Sequence, residues 1–258
     1  MQLEGYLDWR LYARTDRYYI KRFEDETNLS CHLLVDVSRS MGYGRGSYTK
    51  ADYATTLAAT LAYYLAQQRD AVGLVRFHER VSEYLPPRYR PGHLRRLMLA
   101  LEQPVTGIAT DVDAPLRRIA ELVHKRGLLV LISDLLVPIA TLRTSLGWLA
   151  SRGHDLVLFQ VLDRAELTFD FEQSALFHDA ESGRDLYVDP EAARAEYLDR
   201  FDRHNQAVRT ICDEVGVEYH QAVTDQPLER MLFDFLSGRM RRSRLGKRSR
   251  GVRTRRPA

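Results

Sequence analysis

Two apolar runs in this chain each stop at an aspartate. Leu33-Leu34-Val35 ends in Asp36, and Leu128-Leu129-Val130-Leu131-Ile132-Ser133 ends in Asp134. Runs of this length and apolarity read as buried strands. In an open α/β sheet, a carboxylate placed directly after a strand projects at the carboxyl edge, where such folds put their ligands. The first run continues as Asp36-Val37-Ser38-Arg39-Ser40, which delivers one carboxylate and two hydroxyls into a glycine-rich turn. These are hard oxygen ligands of the kind Mg²⁺ takes, in octahedral geometry at roughly 2.0–2.1 Å. Aspartate and serine are also common in turns and at helix caps, so the string needs company before it means a site. Thr110-Asp111, after a loop containing Gly107, supplies it together with Asp134.

The rest of the chain alternates strands with helices. Tyr53, Leu57, Leu61 and Leu65 recur at helical spacing and predict a helix near 50–68. Ala71 to Phe77 and Val81 to Leu85 read as paired strands, with Pro86-Pro87 and Pro91-Gly92 as turns before a helix around 93–102. A further helix is predicted from Asp111 to Lys125, with Thr110 or Asp111 near its N-cap. Strand 128–133, helix 139–151, strand 155–162, helix 190–215, strand 217–223 and a last helix, 228–236, follow. Residues 163–189 are less regular and are expected to hold a short hairpin. The pattern implies one α/β domain with a doubly wound, mostly parallel central sheet flanked by helices.

Composition limits the setting. The longest apolar run, Gly127 to Leu142, is broken by Asp134 and Pro138 and is too short to span a bilayer. No basic-then-apolar signal opens the chain, and the two cysteines, Cys31 and Cys212, lie far apart in apolar surroundings. A cytoplasmic location is expected. Net charge is +3, yet ten of the 38 basic residues lie in 239–258, which holds no acid; the remaining 28 face 35 acidic residues, leaving the body near −7. The tail is expected to be disordered and to fold back on the acidic body. Nucleic acid or anionic lipid is the alternative contact, although no aromatics interleave the arginines to stack on bases.

Asp36, Ser38 and Ser40 with Thr110 and Asp134 resemble the three loops of the metal-ion-dependent adhesion site of von Willebrand factor A domains. Arg39 departs from the glycine common there, but removes no ligand. The resemblance implies that the hydroxyls bind Mg²⁺ or Mn²⁺ directly and the aspartates act largely through water. It also implies a site that binds protein and does no catalysis. Leu7 to Arg17 and Tyr19 to Glu24 further resemble the lead-in of a bacterial group, the domain-of-unknown-function fifty-eight proteins, often encoded beside MoxR-type AAA+ ATPases. Many of these carry membrane helices ahead of this segment, so the chain reads as a short soluble member or a truncated product. The expected division is a lead-in, 1–30, packing on the sheet, a von Willebrand factor A-like domain, 31–238, and the basic tail.

Other chemistries fit less well. Gly42-Tyr43-Gly44-Arg45-Gly46-Ser47 has serine where a dinucleotide fingerprint needs glycine, and Lys50 is not placed for a phosphate-binding P-loop. No nucleophile elbow or zinc-protease motif is present, and His32, His93 and His154 read as strand or helix-start residues. The sequence therefore predicts a non-enzymatic, Mg²⁺-dependent interaction module that works with a MoxR-type ATPase. An ion held largely by hydroxyls keeps positive charge, which a partner's Asp or Glu would complete. The alternative is a Mg²⁺-dependent phosphoryl-transfer enzyme with Asp36 as nucleophile.

Overall fold

A computed structural model describes residues 29–46, 48–105, 107, 113–170, 175–178, 185–188, 190–229, 231–233 and 235. The lead-in up to residue 28, Thr110-Asp111 and the tail lie outside the described residues. Strands β1 (Ser30–Asp36), β2 (Ala71–Phe77), β3 (Val81–Arg88), β4 (Leu128–Ser133), β5 (Asp155–Leu162) and β8 (Glu218–Val223) form one sheet in the order β3-β2-β1-β4-β5-β8. Among the described residues of this sheet, only β3 runs antiparallel to its neighbour. Strands β6 (Ala175–His178) and β7 (Asp185–Val188) pair as the expected hairpin.

Strand side chains alternate between two cores, as the period of two requires. Leu33, Val35, Val130, Ile132 and Phe159 pack with Leu57, Ala58 and Leu61 of α1 (Lys50–Gln67) and Leu97 of α2 (His93–Leu101). Leu34, Leu129, Leu131 and Leu158 pack on the other face. There they meet Leu116 and Ile119 of α3 (Asp113–Leu122), Leu142 and Leu146 of α4 (Ile139–Ser151), and Val208 and Ile211 of α6 (Pro190–Val215). A sheet buried on both faces explains why its central strands read as continuous apolar runs.

Three sequence expectations are revised. Pro86 and Pro87 do not break β3, which continues to Arg88; at the end of the sheet order a strand tolerates proline, because a missing N–H costs no interior ladder bond. Helix α3 stops at Leu122, three residues before the expected Lys125. A short helix, α5 (Arg164–Thr168), stands where only irregular chain was expected.

The order of strands creates the site. From β1 the chain moves outward through α1 to β2 and β3, then crosses back to place β4 on the other side of β1. The connections diverge at the carboxyl ends of β1 and β4, which is the topological switch point. Asp36 and Asp134 sit there.

Candidate metal centre at the switch point

Asp36 is the last residue of β1 and is fully buried. Its Oδ1 accepts the Ser38 backbone N–H at 2.8 Å, and its Oδ2 accepts the Ser133 hydroxyl at 2.6 Å. Burial, then the nearby Asp134 charge, pushes its carboxyl up to about 6. Ser38 is fully buried, and its hydroxyl lies 3.1 Å from that of Ser40. Neighbouring ligands of an octahedral ion with bonds of roughly 2.1 Å are about 3 Å apart, so the two hydroxyls suit adjacent coordination positions. Asp134 is also fully buried.

The second loop arrives beside Ser38. The Gly107 N–H donates to the Val37 carbonyl at 3.2 Å. A Cβ on Gly107 would come within 2.8 Å of the Ser38 Cα and 2.7 Å of the His78 Cβ, so only glycine permits this approach. Thr110, three residues on, lies outside the described residues, and its position toward the other four residues remains an expectation. Among the described residues no three His, Cys, Asp or Glu side chains gather as a metal-binding group. An ion here would therefore depend on the serine hydroxyls, which is the chemistry of the expected donor set. Asp36, Ser38, Ser40 and Asp134 offer oxygen donors of the kind Mg²⁺ takes, with the two hydroxyls 3.1 Å apart.

Sequence reasoning missed a cation. Lys50, the first residue of α1, is fully buried, and its ammonium donates to Asp134 Oδ2 at 2.8 Å and Glu166 Oε1 at 2.6 Å. The Tyr43 ring lies 5.8 Å from the nitrogen. Burial disfavours the charge, but Asp134 and Glu166 outweigh it and hold the ammonium above its usual range. Glu166 is itself pushed up by burial, against the pull of Lys50. The available signals were capping boxes. Thr49 and Asp52 exchange side-chain and backbone bonds before α1, and Asp163 and Glu166 do so before α5.

A polar network holds the Asp134 turn from beneath. Gln160 of β5 donates to the Asp134 carbonyl at 3.2 Å and to Asn205 Oδ1 at 2.9 Å, while the Tyr219 hydroxyl donates to Gln160 Oε1 at 2.6 Å. Leu135 adopts a left-handed φ of 56°. Its N–H donates to the Ser133 hydroxyl at 3.1 Å, and its carbonyl accepts from His204 Nε2 at 2.9 Å. A strained non-glycine residue at a strand end marks a turn whose shape is enforced by its surroundings.

Comparison with known proteins agrees with this architecture. The family described as "Protein of unknown function DUF58" matches residues 5–207. The chain belongs to the DUF58 family. Relatives include the uncharacterized proteins Rv1480 of Mycobacterium tuberculosis and Mb1516 of Mycobacterium bovis. Each is 25% identical over 240 residues, which is 91% of this chain and 75% of the relative. Among solved structures, BatB from Bacteroides thetaiotaomicron superposes with a TM-score of 0.54 at 12% identity, covering 85% of this chain and 99% of BatB. The SpRpn10 VWA domain gives a TM-score of 0.44 at 13% identity, covering 79% and 94%. The DUF58 chain thus has the α/β architecture with a mostly parallel central sheet that its sequence pattern implied, and shares its fold with BatB. Among the described residues no helix is long and apolar enough to cross a membrane.

Proposed function

We propose that this DUF58 protein is a divalent-metal-dependent protein-interaction module. The observation that carries it is the convergence of Asp36, Ser38, Ser40 and Asp134 at one switch point, with the serine hydroxyls at octahedral-edge spacing. Ser38 and Ser40 would hold the ion directly, with Thr110 joining from the second loop and the two aspartates acting largely through water. Bound there, Mg²⁺ or Mn²⁺ supplies a positive charge that a partner's Asp or Glu can complete. Leu136, two residues past Asp134, and Tyr48, two before Lys50, are large exposed side chains close to the site in sequence. They offer apolar contact around that carboxylate, as interfaces with buried anchors require.

The role is read as binding, without turnover. Asp36 is fully buried with both carboxylate oxygens already accepting hydrogen bonds, a poor arrangement for a nucleophile. The family resemblance adds a MoxR-type AAA+ ATPase as the partner, in complex assembly or chaperoning in the cytoplasm. The test is a pull-down with wild type and Asp36→Ala, each in Mg²⁺ and in EDTA, alongside calorimetric metal titration. Metal binding and partner capture should both vanish in Asp36→Ala, while Ser40→Ala should lose capture yet melt like wild type in EDTA. Capture that survives EDTA and an Asp36→Ala/Asp134→Ala double substitution would move the functional surface elsewhere.

A further inference from the structure

Lys50 is placed against two general preferences. It occupies the first position of α1, where the helix dipole favours anions, and its ammonium is withdrawn from water. Such a placement persists only when the surroundings supply matched acceptors. Here they do so completely. Two of the three ammonium hydrogens meet carboxylates, and the Tyr43 ring lies within cation–π range.

Each partner is fixed independently. The Lys50 backbone N–H donates to the Tyr43 carbonyl at 2.9 Å, and the Thr49–Asp52 box sets the start of the helix. Glu166 spends its other oxygen on the Asp163 N–H at 2.8 Å. Asp134 hangs from the Gln160 and Leu135 network. The ammonium is therefore a built part of the site and not a surface lysine that has drifted inward.

Its position has a consequence for metal. One oxygen of Asp134 serves the ammonium and the other accepts the Leu136 N–H at 3.4 Å. A divalent ion that draws on Asp134 must share it with a fixed positive charge. The attraction survives, because Asp36, Asp134 and Glu166 less Lys50 leave a net charge of −2. It is nevertheless reduced at short range in a dry setting, where charges are poorly screened.

We infer that Lys50 is a resident cation of this site: it neutralises Asp134 in the metal-free protein and sets divalent affinity by competing for that carboxylate. This rests on the metal reading given above. Lys50 keeps the empty site from collapsing or unfolding, and it keeps the ion weakly held and exchangeable. Glu166 is the second anchor that lets the ammonium lean away when Asp134 is engaged.

The test is calorimetric titration of the full chain with Mg²⁺ and with Mn²⁺, plus thermal melting in EDTA and in Mg²⁺. Three variants join wild type: Lys50→Met, Glu166→Gln, and the Lys50→Met/Glu166→Gln pair, which removes one charge of each sign and so guards against simple misfolding. The paired variant should bind Mg²⁺ about tenfold more tightly or better. Glu166→Gln should bind it more weakly, because the ammonium then falls wholly on Asp134. Melting should depend on Mg²⁺ far more in Lys50→Met than in wild type. If wild type binds metal and the paired variant binds it equally or more weakly, the inference is wrong and the metal reading stands. If neither wild type nor any variant binds metal, both are wrong.

Discussion

Strand β1 carries a buried histidine near its start and a buried aspartate at its end, and the two ends have opposite characters. At the amino edge, His32 lies almost parallel to the Tyr84 ring at 6.5 Å. The Nδ1 atoms of His32, His93 and His154 have no hydrogen-bond partner among the described residues. Burial, then repulsion from His154, lowers His32 to about 4, so it is a neutral part of the core. At the carboxyl edge, Asp36 is just as buried but receives two hydrogen bonds and feels the charge of Asp134, which in turn is paired with Lys50, itself bonded to Glu166. Burial drives each residue toward its neutral form, so burial alone does not distinguish a core residue from a site. Convergence of complementary groups from separate loops does.

The sharpest way to break this contrast is to delete the central charge at each edge. In EDTA, Lys50→Met should lose about 3–5 kcal/mol in chemical denaturation, because it strands two buried carboxylates. His32→Leu removes a polar ring with an orphan nitrogen and should cost under about 1.5 kcal/mol. Equal losses would mean that the carboxyl edge is ordinary core.

Acid titration sharpens the contrast further, because the two groups push in opposite directions. Asp36 has a folded value near 6 against an ordinary 3.8. The folded state therefore binds the extra proton, and stability from this group falls as pH rises from about 4 to 6. His32 has a folded value near 4 against 6.5, so its contribution is full above 6.5 and is lost as pH falls toward 4. Each shift corresponds to about 3 kcal/mol at most, and in wild type they largely cancel. Denaturation in EDTA between pH 4 and 7 should show Asp36→Asn gaining on wild type as pH rises and His32→Leu losing ground. Profiles parallel to wild type would remove both shifts.

A smaller effect comes from two glycines, one at each edge. A Cβ at Gly107 would meet Ser38, and one at Gly127 would lie 2.3 Å from the Ser30 carbonyl oxygen. Alanine at either position should cost about 1–3 kcal/mol. Only Gly107→Ala should also weaken Mg²⁺ binding in calorimetry. If Gly127→Ala weakens it equally, the second loop has no special relation to the site.

Much of the architecture was legible because it depends on local pattern. Strands 71–77, 128–133 and 155–162 and helices 139–151 and 190–215 have the bounds their apolar spacing predicted. The placement of Asp36, Ser38, Ser40 and Asp134 at the carboxyl ends of β1 and β4 was legible because each closes or follows an apolar strand. The partners that position them were not. Lys50, Glu166, Gln160, Asn205 and His204 reach the site across 26 to 116 residues of chain, and a lone lysine or glutamine carries no local sign of its partner. Helix α5 escaped because five residues are too few for a periodic signal, although its Asp-x-x-Glu start was there to be read.

Leu135 carries a consequence for how this protein can change. Its left-handed backbone favours glycine, by about 1–2 kcal/mol over a residue with a side chain. Its side chain is fully buried, and emptying such a position costs about 2–5 kcal/mol. Asparagine would ease the backbone but bury an amide among hydrocarbon. No single replacement improves both terms, so drift by one substitution at a time is blocked in either direction. The turn that carries Asp134 should therefore tolerate substitution least, whereas the exposed Arg39 and Tyr48 are under no such packing constraint.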